Sequence, residues 1–146
     1  MKIAIGCDHG GINLKPILVK YLNEKGIEFK DFGTFDTNSI DYNDLAEPVC
    51  SAVANGEFDK GILICGTGIG ISLAANKVKG VRAAVCSEAY SAQMTKLHNN
   101  ANIISFGVRV VGSEVAKEIV SAWVNTEFEG GRHERRVNMI MDIENK

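Results

Sequence analysis

Short strand-like runs, each handing over to a stretch with helical spacing, constrain this chain more than any other feature. Ile3–Cys7 is uncharged and mostly apolar, as a strand covered on both faces must be. Ile27–Phe32, Gly61–Cys65, Val81–Cys86 and Ala101–Phe106 are the other strand candidates. After the first strand, Leu14, Ile17, Leu18, Tyr21 and Leu22 recur at helical spacing, and Gly26 supplies a stop. Burying those side chains would contribute on the order of 10 kcal/mol before chain entropy is subtracted. Leu45, Val49 and Val53 form a second stripe, with Asp44 and Glu47 resembling a capping box and Gly56 ending it. On that frame Pro48 falls in or near the first turn. Ser87 and Ser113 are expected N-caps for helices over about 88–98 and 114–125. A last amphipathic segment carries Val137, Ile140 and Met141. Strands separated by helices predict an α/β fold with a mostly parallel sheet covered on both faces. In such folds ligands bind beyond the carboxyl ends of the strands.

The 146 residues suit one domain, and no repeat, low-complexity tract or linker divides them. A net charge of −2 gives no reason to expect nucleic acid or an anionic membrane as partner, so any anion must be held by a local cluster. The strand pattern begins at Met1-Lys2-Ile3, leaving no room for a signal peptide, and no apolar run approaches a membrane span. Cys7, Cys50, Cys65 and Cys86 form no C-x-x-C pair, and the histidines and cysteines have no metal-ligand spacing. Free thiols in a reducing cytoplasm, with no metal and no cofactor, are the expectation.

Residues with chemical potential gather near the strand ends. The first strand runs into Gly6-Cys7-Asp8-His9-Gly10-Gly11, and the third into Cys65-Gly66-Thr67-Gly68-Ile69-Gly70. The fifth is preceded by His98-Asn99-Asn100 and followed by Arg109. The Gly66–Gly70 loop can turn tightly and expose N–H groups at a helix start, as an anion-binding nest does. It is not a P-loop, since no Gly-Lys-Ser/Thr follows, and Ile71 stands where the dinucleotide fingerprint requires glycine. A purely structural turn is the alternative. Cys65 directly before the loop suits a general base or nucleophile, because neighbouring N–H donors favour a thiolate. A small buried residue is the other reading, and it is preferred for the remaining three cysteines. His9 and His98 are acid/base candidates or satisfied structural residues; Asp8 is an acid/base partner or a turn cap. Arg132 and Arg136, four apart after Gly130-Gly131, could grip a phosphate together or form a solvated helix face.

Taken together, Cys7-Asp8-His9-Gly10-Gly11, Asp41-Tyr42, Cys65-Gly66-Thr67-Gly68-Ile69-Gly70, His98-Asn99-Asn100-Ala101-Asn102 and Gly130-Gly131-Arg132-His133-Glu134-Arg135-Arg136 resemble the type B ribose-5-phosphate isomerases. Allose- and galactose-6-phosphate isomerases belong to the same family. The resemblance covers the whole chain in order. It implies a three-layer α/β/α sandwich, Rossmann-like, with a five-stranded parallel sheet, acting on a sugar phosphate as a homodimer or a dimer of dimers. It also implies roles. Cys65 would move the proton between C1 and C2, with Thr67 and the backbone of Gly66, Gly68, Ile69 and Gly70 stabilising the enediolate oxygen. Asp8 and His98 would open the sugar ring, and Tyr42 and Asn99 would orient hydroxyls. His9, Arg132 and Arg136 would hold the phosphate, with Arg109 nearby. His98, Asn99 and the arginines would reach the site from the neighbouring subunit, which makes residues from about 130 to 146 an expected contact.

One branch of the family uses a glutamate on the loop after the third strand. Here no Asp or Glu occurs between Asp59 and Glu88, so the loop offers Cys65 alone. Gly10-Gly11 stands where Ala-Gly is common, and Asn43 where proline is common; neither changes a reacting group. Two rivals remain open: a hexose-6-phosphate isomerase, and a phosphometabolite-binding module without catalysis. A thiol-dependent phosphatase would need an arginine where Ile71 stands.

Overall fold

The computed structural model describes residues 1–146. Five parallel strands form one sheet: β1 (Lys2–Cys7), β2 (Glu28–Asp31), β3 (Lys60–Cys65), β4 (Ala83–Val85) and β5 (Ile103–Gly107), in the order β2-β1-β3-β5-β4. β3 is therefore central, and the order reverses between β1 and β3, where an open α/β sheet offers its crevice. A short turn of 3-10 helix, His9–Gly11, follows β1. The helices are α1 (Lys15–Glu24), α2 (Tyr42–Ala54), α3 (Ile69–Ala75), α4 (Ala89–Leu97), α5 (Ser113–Val124) and α6 (Arg132–Ile143). None is long and apolar enough to cross a membrane.

Strand alternation sorts the core into two clusters. Ile3, Ile5, Ile62, Ile64, Ile104 and Phe106 pack under α1, α4 and α5 around the fully buried Trp123. Ala4, Leu63, Cys65 and Ile103 point the other way, under α2 and α3. This is the expected three-layer sandwich. α6 stands apart from both layers: only His133 and Val137 of it are buried, while Met139, Ile140 and Ile143 remain exposed.

Several local expectations change. α2 begins at Tyr42 with Asp41 as an uncapped N-cap, so Asp44 lies inside the first turn and forms no capping box with Glu47. Pro48 consequently sits seven residues into α2 and not in its first turn. The lost N–H is tolerated because the flanking Val49, Cys50, Ala52 and Val53 are buried against the sheet. Glu88, not Ser87, caps α4 by accepting the Ser91 N–H at 2.9 Å. Ser113 is the first residue of α5, after an N-cap at Gly112. Leu14 at the N-cap of α1 and Leu18 and Leu22 within it are buried, whereas Ile17 is 38% exposed and Tyr21 only half-buried.

Candidate active site

Cys65 closes the central strand, and its position on the α2/α3 face buries it to 5% exposure. Its Sγ accepts the Gly68 N–H at 3.0 Å. That bond requires the loop to fold back over the sulfur, and glycines permit it. Gly68 is left-handed (φ 81°), and a Cβ there would lie 2.7 Å from the Phe106 backbone. The loop is tied to β5: Val108 N–H donates to the Cys65 carbonyl at 3.0 Å, Arg109 N–H to the Gly66 carbonyl at 3.0 Å, and the Ser105 hydroxyl to the Gly68 carbonyl at 2.8 Å. Thr67 Oγ1 accepts the Ile69 N–H at 3.2 Å. Two of the nest's donors are thus engaged internally, while the N–H groups of Gly66, Thr67 and Gly70 have no acceptor within the chain.

The loop after β1 lies against this nest, since a Cβ on Gly10 would stand 3.4 Å from the Gly66 nitrogen. Asp8 is buried, and its Oδ1 accepts the Gly10 N–H at 2.8 Å, capping the turn. One oxygen of the turn cap therefore remains for other work. His9 Nδ1 accepts the Ile40 N–H at 3.3 Å, which puts the ring proton on Nε2 as an outward donor. The Tyr42 ring covers Gly70 so closely that a Cβ there would meet its Cε1 at 2.8 Å. Arg109 lies over Gly66, its guanidinium carbon 3.5 Å from where a Cβ would stand. Asp8, His9, Tyr42, Cys65, Gly66, Thr67, Gly68, Ile69, Gly70 and Arg109 therefore meet at the carboxyl edge. At the other three cysteines burial pushes Cys7 up to about 11, Cys50 to about 12 and Cys86 to about 11, which keeps them as thiols.

His98, Asn99, Arg132 and Arg136 do not join them. α4 leaves the carboxyl end of β4 and returns the chain to the start of β5, so His98 and Asn99 stand at the amino edge of the sheet. Trp123 Nε1 donates to the Ala101 carbonyl at 3.3 Å, and Glu129 N–H to the Leu97 carbonyl at 3.0 Å, fixing this turn from below. Arg132 and Arg136 are exposed at the start of α6 and share one helical face, as their spacing predicts. A groove of about 520 Å³ beside them is lined by Asn99, Thr95, Arg82, Ile140 and Ile143.

Sequence reasoning gave no role to His133 or Glu129, yet both adjoin His98. The two imidazoles stack with centroids 4.2 Å apart and planes 11° from parallel. Glu129 Oε2 lies 3.3 Å from His133 Nε2 and 3.8 Å from His98 Nε2. Ring-nitrogen lone pairs lie in the ring planes, so near-parallel rings do not converge on one point as metal ligands do. The Glu129/His133 spacing of four was a usable signal; the approach of His98, far off in sequence, was not.

A ribose/galactose isomerase family model matches residues 3–140. Ribose-5-phosphate isomerase B of Escherichia coli is 55% identical over 99% of this chain and 97% of its own. D-erythrulose-4-phosphate isomerase of Pectobacterium atrosepticum is 46% identical over 96% of this chain and 93% of its own. A solved ribose-5-phosphate isomerase B of Clostridium thermocellum superposes with a TM-score of 0.97 at 54% identity, covering 99% of this chain and 98% of that one.

Proposed function

The chain belongs to the ribose/galactose isomerase family, and from that premise we propose how its residues interconvert ribose 5-phosphate and ribulose 5-phosphate. Cys65, as thiolate, takes the proton from C2 of the open-chain aldose. The electron pair of that bond forms the C1–C2 double bond, and the aldehyde oxygen gains the negative charge. The unengaged N–H groups of Gly66, Thr67 and Gly70 receive that charge, each worth about 3 kcal/mol where preorganised. A proton passes from O2 to O1, and Cys65 returns its proton to C1, leaving the ketone at C2. Asp8 and His98 open the ring beforehand. Tyr42 and Asn99 orient hydroxyls, and His9, Arg109, Arg132 and Arg136 bind the phosphate.

His98, Asn99, Arg132 and Arg136 serve the Cys65 of a second copy, in a homodimer or a dimer of dimers. Their distance across the sheet from their own chain's Cys65 supports this. So does the exposed apolar run of Met139, Ile140 and Ile143, which continues the basic face of α6 over residues 130–146. Four free thiols fit a reducing cytoplasm. A clamp at the phosphate and a base at C2 measure a fixed length, which favours pentose 5-phosphates over hexose 6-phosphates.

The observation that carries the base assignment is the Gly68 N–H pointed at a sulfur on the central strand's carboxyl end. Cys65→Ala should lower kcat by about 10³-fold with the fold intact. A variant that keeps a tenth of wild-type kcat in a coupled ribose 5-phosphate assay would sink it.

A further inference from the structure

We propose that Glu129 and His133 are positioning residues for ring opening: they hold the His98 imidazole in one orientation and set how readily it takes a proton. This rests on the reading of His98 as a ring-opening acid/base. The backbone around His98 is already fixed on both sides. Glu129 N–H donates to the Leu97 carbonyl at 3.0 Å. Asn100 is left-handed (φ 47°), its carbonyl accepting from Arg82 Nε at 3.1 Å and Nη2 at 2.8 Å, its Oδ1 from Lys96 Nζ at 2.6 Å. What remains free is the His98 side chain, and two groups restrain it.

His133 lies flat against the ring at 4.2 Å between centroids, and its own side chain is only 8% exposed, so it cannot turn aside. Its Nε2 is buried without a hydrogen-bond partner, an arrangement that costs stability and that helix packing alone does not require. Glu129 supplies the charge: one carboxylate oxygen faces Nε2 of both rings, at 3.8 Å for His98 and 3.3 Å for His133. A carboxylate there favours imidazolium, and a ring nitrogen turned toward it leaves the other to exchange protons with substrate. The other charged groups about the pair are Arg132 and Arg136 from α6, and Lys96 and Arg82 on the flank at Asn100. Burial first, then His98 and the two arginines, holds His133 below the ordinary histidine range against the pull of Glu129. A neutral, immobile ring beneath and an anion beside are what an acid/base group needs to return to one geometry each turnover.

The test combines Glu129→Gln, His133→Ala and His133→Phe, each alone and with His98→Asn. His133→Ala should lose about tenfold in kcat with KM little changed, and His133→Phe, which restores a flat ring, should recover most of it. Glu129→Gln should move the limb of the kcat/KM pH profile set by His98 to lower pH by about half a unit. In the His98→Asn background neither substitution should lower activity further. Equal losses in both backgrounds, or an unmoved pH profile, would overturn the proposal alone. Full activity of His98→Asn would overturn the reading of His98 and the proposal with it. Glu129 is exposed, so its variant keeps the test decisive if His133→Ala does not fold.

Discussion

The loop after β3 and the turn before β5 hold the residues proposed to act in catalysis by opposite means. At Gly66–Gly70 the backbone does the work: glycines close the loop over Cys65, and bonds from Val108, Arg109 and Ser105 fasten it to the neighbouring strand. At His98 side chains do it: Arg82 and Lys96 grip Asn100, and His133 and Glu129 flank the imidazole. The first arrangement is complete within one chain and continuous with the core. The second sits on the far edge and presents its residues outward. Backbone suits stabilising an oxyanion, which needs fixed donors. Side chains suit the proton delivery and phosphate contact proposed for the site of a second copy.

Separating the two regions genetically gives the largest effect. Cys65→Ala and Arg132→Ala chains should each be nearly inactive as homodimers. In a mixed dimer of a shared-site enzyme, one site receives both lesions and the other neither. Co-refolding equal amounts makes about half the dimers mixed, so activity should return to about a quarter of wild type. Failure to recover despite demonstrated mixed dimers would mean that Arg132 serves its own chain.

A smaller effect isolates the backbone-built region. A Cβ on Gly107 would stand 2.3 Å from Thr67 Cα, and only backbone movement could relieve it. Gly107→Ala should cost about 2 kcal/mol in stability and lower kcat about tenfold by displacing the loop. Gly112→Ala, whose Cβ meets nothing within 4 Å at an ordinary φ of −77°, is the control: it should leave kcat unchanged and cost only the few tenths to about 1 kcal/mol of a poorer N-cap on α5. Equal behaviour of the two variants in denaturant melts and kinetics would refute the loop's rigidity.

The smallest effect lies at the other end of β3. Lys60 donates to the Trp123 and Val124 carbonyls at 3.2 Å each, and burial first, then Lys96, lowers it to about 8. Between pH 8 and 10 the unfolded chain, with an ordinary lysine near 10.5, binds the extra proton. Stability from this residue therefore rises over that window and is constant below it. Denaturant midpoints of wild type should gain on those of Lys60→Met as pH climbs from 8 to 10; a constant difference would show that Lys60 carries the same charge folded and unfolded across that window.

The carboxyl-edge half of the site was legible because strand-terminal glycines and Cys65 are adjacent in sequence, and the strand-end rule says where they gather. The residues proposed to serve a second copy's site were legible only as motifs. Nothing in the spacing of His98 and Arg132 reveals that α4 carries His98 back to the amino edge, since that follows from the parallel sheet's crossover. Helix starts are ambiguous in the sequence where a capping residue has competitors one to three positions away, as with Asp41 over Asp44 and Glu88 over Ser87. Glu129 and His133 escaped notice because their partner is brought by tertiary packing.

The thin attachment of α6, with His133 and Val137 its only buried residues, has a thermal consequence. In a copy with no partner on the Met139, Ile140 and Ile143 face, a segment so lightly held opens by sub-global fluctuation at a fraction of the free energy that unfolds the core, and its amides exchange with solvent correspondingly fast. The Cys65 loop, whose sulfur belongs to the apolar cluster beneath α2 and α3, opens only with the sheet itself. On warming such a copy, the proposed phosphate grip of Arg132 and Arg136 would therefore loosen while the proposed oxyanion donors stayed in register. Heat would first weaken affinity for substrate and only later reach the chemistry.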